Sequence, residues 1–361
     1  MSNKKISASL AVLLFSGSLL TVSAMAVPRL VNTPVAAQNK PVLQDMARLA
    51  STGSKAPVLK VEAPAPVSTV NSDLQLMTEE ELQQVYDYAD RQVNSDPRVS
   101  GREMTDAEVK RRQVLEDQYV YEGVRPKQPL PLEPGKAELY LDMEQNTYTY
   151  PERQMTDEEL LQLIDWYQRI NYVMSKRHVK AVPGPEELSQ KEAVALAASS
   201  VGKLFDVDVA KLETNVGYDE AGLNKRRTWT IQFSPYKSLT LMGQGKEFWQ
   251  YNVIIDGPTG IVVDTTASNF SLKRTPISAS AASLIQKDAS WIHEATQIVI
   301  EKQGETRKIT KAFLTDTATN NKRGMVAVKL LLEDGSSYTA EMRYPDQSLR
   351  CLIYEPANMA K

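Results

Sequence analysis

At 361 residues the chain is long enough for two or three domains with cores of their own, and its 42% apolar and 24% charged content is ordinary for a globular protein. Lys4 and Lys5 are the only charged side chains in the first 26 residues, and beyond them 40 basic residues face 45 acidic ones. That balance argues against nucleic acid as the main partner, since such binding is driven by phosphate neutralisation. The basic triplet Lys225-Arg226-Arg227 reads as a solvated loop.

The two lysines precede a charge-free run from Ile6 to Pro28, and Ala24-Met25-Ala26 supplies small residues at the −3 and −1 positions of a cleavage site. This is the pattern of a secretory signal peptide over residues 1–26, cut after Ala26. An uncleaved membrane anchor is the alternative, weakened by six Ser and Thr residues in the run. Either way the remainder is exported, to the extracellular space or the cell envelope. No cysteine stands near the cleavage site, which excludes a lipoprotein anchor. Cys351 is the sole cysteine, so the exported chain holds together by packing, and this thiol reads as a small buried apolar residue.

Residues 27–76 hold six prolines and little periodicity, and read as a largely disordered tether. Ordered structure is expected from Met77. Three segments open alike: Met77-Thr78-Glu79-Glu80-Glu81, Met104-Thr105-Asp106-Ala107-Glu108 and Met155-Thr156-Asp157-Glu158-Glu159. Each is a capping box, the Thr capping the first turn and the Glu three residues on bonding back. Leu82, Val85, Tyr86, Ala89 and Val93 form one apolar stripe, and Leu160, Leu163, Ile164, Tyr167, Ile170 and Met174 another. Two strands are expected at Ala137–Asp142 and Thr147–Tyr150, around a Gln145-Asn146 turn. This mainly helical region, 77–182, ends at Pro183-Gly184-Pro185.

The next region, 183–274, opens with an amphipathic helix, Gln190 to Phe205. A strand ending at Phe233, a polar connection, and Tyr251-Asn252-Val253-Ile254-Ile255 follow. The Asp256-Gly257-Pro258-Thr259-Gly260 turn then leads into Ile261-Val262-Val263. A last region, 275–361, repeats the order: helix over Ala282–Gln303, then strands near Phe313, Met325–Leu332, Ser337–Met342 and Leu349–Tyr354. At an offset of 87, Tyr251 meets Tyr338 and Pro258 meets Pro345. The fold class is α+β, with helix-on-antiparallel-sheet modules in tandem behind a helical N-terminal region.

The stretch 186–268 resembles a PepSY-type domain, the small module of thermolysin-like protease propeptides and of many exported bacterial proteins. The likeness rests on Glu192-Ala193-Val194-Ala195-Leu196-Ala197, Trp229-Thr230-Ile231-Gln232-Phe233, and Tyr251-Asn252-Val253-Ile254-Ile255-Asp256 with Thr259-Gly260-Ile261-Val262. A degenerate second copy is expected at 278–356, where Arg343-Tyr344-Pro345-Asp346-Gln347-Ser348 replaces the Asp-x-x-Thr-Gly turn. The resemblance implies a non-catalytic inhibitory or interaction module.

The residues themselves offer little catalysis. His178 and His293 are the only histidines, and His293-Glu294-Ala295-Thr296-Gln297 puts Gln297 where a zinc-protease helix needs its second ligand. Neither a Gly-x-Ser-x-Gly elbow nor a nucleotide-binding glycine loop occurs beyond residue 26. No catalytic residue, metal or cofactor is therefore expected. The leading expectation is a non-enzymatic exported protein that binds and modulates a protease or another envelope protein. Trp229, Trp249, Tyr251, Asp256 and Gly260 are the candidate partner or ligand surface, and sheet edges offer strand addition. An envelope hydrolase with two carboxylates, or a structural envelope component, are the alternatives.

Overall fold

A computed structural model describes residues 74, 77–92, 97–177, 181–220, 226–315 and 318–357. The expected signal peptide, most of the tether and His178 lie outside the described residues. The architecture is α+β, as expected. Contacts divide the described residues into two units: one contains those up to Arg177 together with Tyr236–Phe248, the other those of Ala181–Pro235 and from Trp249 onward.

In the first unit, helices α1 (Glu79–Gln92), α2 (Asp106–Glu122) and α3 (Asp157–Arg177) begin where the capping boxes predict. Thr78 Oγ1 accepts from Glu81 N, and Glu81 Oε2 accepts from Thr78 N at 2.9 Å. The same reciprocal bonds join Thr105 with Glu108 and Thr156 with Glu159. Each box satisfies amides that a helix start otherwise leaves orphaned.

The apolar faces meet in one core, with Leu160, Ile164, Tyr88 and Tyr119 among its fully buried members. Tyr88 packs edge-on to Trp166 at 5.4 Å and donates its hydroxyl to Asn146 Oδ1 at 2.9 Å. The hairpin expected around Gln145-Asn146 is present as β2 (Tyr140–Asp142) and β3 (Thr147–Thr149). A third strand, β1 (Arg98–Ser100), adds to β3 in parallel. Its three residues are too few to carry an alternating pattern.

The polar connection 235–248 contains helix α5 (Ser238–Gly243), which packs on α2 within the first unit. Lys237, at its start, offers no side-chain cap. Asp117 of α2 substitutes, accepting from Thr240 N at 2.6 Å, while Tyr121 and Tyr236 meet edge to face. The approach is close enough that a Cβ on Gly243 would lie 2.6 Å from the Lys110 carbonyl oxygen.

Burial pushes the Asp117 carboxyl from 3.8 up to about 6, against the opposing pull of the Thr240 amide. A raised carboxylate stabilises the fold only while protonated, so the contribution is full below pH 3.8 and is lost as pH rises through about 6. Asp117→Asn keeps an acceptor without the buried charge, and is expected to stabilise the protein by about 2 kcal/mol at pH 7.5. Thermal unfolding of both proteins at pH 7.5 and pH 3.5 checks this. A gain at both pH values would refute a charge-based cause.

In the second unit α4 (Gln190–Phe205) starts at a further capping box, Ser189 with Glu192. Ala193, Ala197, Val201 and Leu204 are buried along it, as its period predicts. Eight antiparallel strands form one sheet in the order β4-β5-β6-β7-β11-β10-β9-β8. They are β4 (Glu213–Asp219), β5 (Thr228–Ser234), β6 (Trp249–Asp256), β7 (Val262–Asn269), β8 (Ile309–Thr315), β9 (Met325–Leu332), β10 (Ser337–Arg343) and β11 (Leu349–Glu355). The modules expected at 183–274 and 275–361 thus share a sheet, joined where β7 pairs with β11.

The strand registers of the two halves match. Gln250↔Ser268 in the first half becomes Ser337↔Glu355 on adding 87. The β-bulge between Ile254 and Ile255 reappears between Glu341 and Met342, again 87 residues on. At the seam Asp264 pairs with Ile353 and Thr266 with Cys351, symmetrically about Thr265 and Leu352. With the same offset each half pairs through equivalent residues, the condition for a local two-fold relation. On the outer strands the offset is 97, because the β5–β6 connection is ten residues longer than the β9–β10 turn: Trp229↔Ile255 corresponds to Val326↔Met342.

The helical layer of the second half departs from the single helix expected over 282–303. Helix α6 (Ala279–Ile285) stops, and α7 (Ser290–Gln297) begins after a break and continues into a π turn, Ile298–Lys302. Asp288 causes the break locally, its carboxylate accepting from Ser290 N at 2.9 Å in place of a continuing helix. A short helix α8 (Ala318–Lys322) precedes β9.

Candidate interaction groove at the edge of the second module

The candidate residues from the sequence do not converge on one accessible surface. Trp229 is 4% exposed and lies in the core under α4, its indole Nε1 donating to the Leu188 carbonyl at 3.1 Å. Tyr251 is also buried, 5.7 Å from the Phe205 ring, and burial pushes its hydroxyl up to about 12. Asp256 is buried at the turn, where it accepts from the Thr259 amide and hydroxyl and pairs with Arg226 at 3.7 Å. Gly260 takes φ 70°, which an L side chain resists, and closes the turn by donating to the Asp256 carbonyl at 2.8 Å.

Trp249 and Gly260 are half-buried, Trp249 under the Arg343 guanidinium at 4.7 Å from its ring. Trp229, Tyr251 and Asp256 are thus buried rather than exposed: aromatic β-formers that bound a hairpin also suit the inner face of a sheet, and α4 covers that face here.

Among the described residues no group of three His, Cys, Asp or Glu side chains is placed to hold a metal. Cys351 is buried, and burial pushes its thiol up, the opposite of an activated nucleophile. Glu81 and Glu159 are bound to their caps and to Arg169 and Arg153.

An apolar groove of about 400 Å³ opens in the second half instead. Its helical wall is Ala282 and Ile285 of α6 with Ile292 of α7, and its floor is Leu314 of β8 and Val326 of β9. Asn320 and Asn321 of α8 supply polar groups at one end. The break between α6 and α7 leaves the helical layer discontinuous beside this space, and Leu284 of α6 is 70% exposed.

Beside the groove runs β8, the last strand of the sheet, paired only with β9 among the described residues. Alternate amides and carbonyls along its outer side consequently face no other strand of the described residues. Arg307 fixes the beginning of β8. It donates to Glu305 Oε1 at 2.9 Å and to Asp334 and Tyr354, and in return holds the Glu305 carboxyl down at about 2. The residues around this edge include the exposed cations Lys308, Lys311 and Lys322. Sequence patterning did not single out this region. Val326 falls in an expected strand and Ile285 and Ile292 in an expected helix, and only the strand register shows that Val326 occupies the place of Trp229.

Comparisons with known proteins add little. No family model matches the chain, and no curated protein matches it. A solved structure, the C-terminal domain of Bacillus megaterium YpeB, aligns at a TM-score of 0.32 with 10% identity, over 49% of this chain and 67% of that one. That score is too low to carry an argument about this protein. No helix among the described residues is long and apolar enough to cross a membrane.

Proposed function

We propose that the protein is a non-catalytic exported binding module that engages another exported or envelope protein, a protease or other hydrolase in particular, and modulates it. The observation that carries this reading is the open β8 edge lying beside an apolar groove. Strand addition derives affinity from main-chain hydrogen bonds and specificity from pockets for alternate side chains, and this edge offers both. The PepSY-like sequence features and the signal-peptide pattern point the same way.

The test is capture by the full chain from the source organism's envelope and extracellular fractions, followed by assay of the retained enzyme. One hydrolase at stoichiometric yield, its rate altered on adding the protein, is the expected result. Retention without a change in rate, or no stoichiometric partner, counts against modulation.

A further inference from the structure

The first module shows what the groove of the second is shaped to hold. Trp229 in β5 and Val326 in β9 are equivalent by register, since each pairs with the residue just past the bulge, Ile255 and Met342. Both lie on the helix-facing side of the sheet, in the cores of their modules. In the first module the indole is held between the sheet and the segment entering α4, with Tyr218 packed against it at 4.8 Å and the Leu188 carbonyl accepting from Nε1. In the second an isopropyl group stands in that place, and Val326 is part of the groove wall. By register, the position that carries an indole in the first module carries a smaller side chain beside the groove in the second.

We propose that this groove receives an aromatic side chain, tryptophan or tyrosine, from an extended segment of a partner protein that adds to the β8 edge. Three features favour that occupant. The seat is one that an indole fills in the same chain. The open strand beside it positions a segment whose alternate side chains point toward the helical layer. Asn321 provides a polar partner for an indole N–H or a phenol at the rim, suiting a side chain with one polar end. Lys308 and Lys311 make acidic residues the favoured neighbours of the aromatic. The proposal rests on the reading of the protein as a binding module, and specifies the chemistry of what is bound.

The experiment titrates the full chain with N-acetyl-5-fluorotryptophanamide, followed by fluorine NMR. Two nine-residue peptides of alternating Thr and Val with acidic ends are titrated as well, one with a central Trp and the other with a central Ala. Weak saturable binding of the amide is expected, with the Trp peptide bound at least tenfold more tightly than the Ala peptide. Val326→Trp places the indole from within and abolishes both, while its fold has a precedent in the first module. Ala282→Leu narrows the groove from the half-buried helical side and weakens both, which keeps the test valid should Val326→Trp fail to fold.

Equal binding by wild type and both variants, or no binding of amide and peptide, overturns the proposal. So does binding of the amide with no gain for the Trp peptide, which would mark a small-molecule seat. Concentration-dependent dimerisation blocked by Val326→Trp would assign the groove to a second copy and overturn it too. The two readings fail separately: groove binding without an enzyme in the capture experiment refutes modulation alone. An enzyme captured equally by Val326→Trp refutes the groove alone.

Discussion

Glu108→Ala is expected to destabilise the first unit by about 3–5 kcal/mol, because it removes a buried acceptor shared by several donors. Glu108 is fully buried, and Arg102 donates to both of its oxygens at 2.7 and 2.6 Å. The Thr105 amide donates to Oε2 at 2.8 Å and the Met155 amide to Oε1 at 2.6 Å. One carboxylate therefore completes the cap of α2, anchors the segment after β1 and satisfies the residue just ahead of the α3 cap. Truncation leaves a guanidinium and two amides buried without it. Hydrogen bonds from Arg102, above all, hold the Glu108 carboxyl well below its ordinary 4.5.

A depressed carboxylate stabilises the fold above its unfolded value, so the contribution is present above pH 4.5 and is lost as pH falls through the folded value. Urea unfolding of the full chain at pH 7 and pH 3 checks both statements. A shift no larger than that of the exposed Glu79→Ala would contradict the role assigned to Glu108.

Arg343→Ala is expected to cost about 3 kcal/mol in the second unit, from two charge-assisted hydrogen bonds and a cation–π contact. Arg343 replaces the Asp256 of the first module's turn, and the exchange has a physical consequence at the seam. Its guanidinium donates to the Leu349 carbonyl at 3.1 Å and crosses to the Ala267 carbonyl of β7 at 2.9 Å, with the Trp249 ring beneath. Burial lowers its pKa, so the charge is held at a cost that those three contacts offset. Arg343→Lys exchanges the planar, spread fork for a compact ammonium that also stacks less well on Trp249, and is expected to restore less than half of the loss. Thermal unfolding of the three proteins, with hydrogen exchange of β7 and β11 amides, measures it. Unchanged protection across the seam would show that the strands pair without this pin.

The sequence is most legible where the cause is local. Thr78, Thr105, Thr156 and Ser189 each meet a Glu three residues on, and bonding geometry within one turn makes every one of them a helix start. The buried face of α4 follows from spacing alone, whereas in α3 Leu160, Leu163 and Ile164 are buried as expected but Trp166, Tyr172 and Val173 take the buried places further along and Tyr167, Ile170 and Met174 are half-buried. The offset of 87 that matched two residue pairs also matches the bulge and the seam. What escaped were elements with little local signal. β4 is a polar edge strand in which Val216 alone is buried, and α5 has no cap of its own because Asp117 lies far away in the chain.

The candidate site divides the same way. Sequence by itself determined that an Asp-x-x-Thr-Gly turn sits between two strands, that Cys351 is a packing residue, and that the order of helix and strands repeats, since each depends on neighbours a few residues apart or on the sequence of elements. Tertiary structure alone decided that two modules share eight strands, that Trp229 and Tyr251 face inward, and that β8 is left open beside a groove. Those outcomes depend on which strand pairs with which and in what register. Register is set by contacts between residues far apart in the chain, where no periodicity along it can report them.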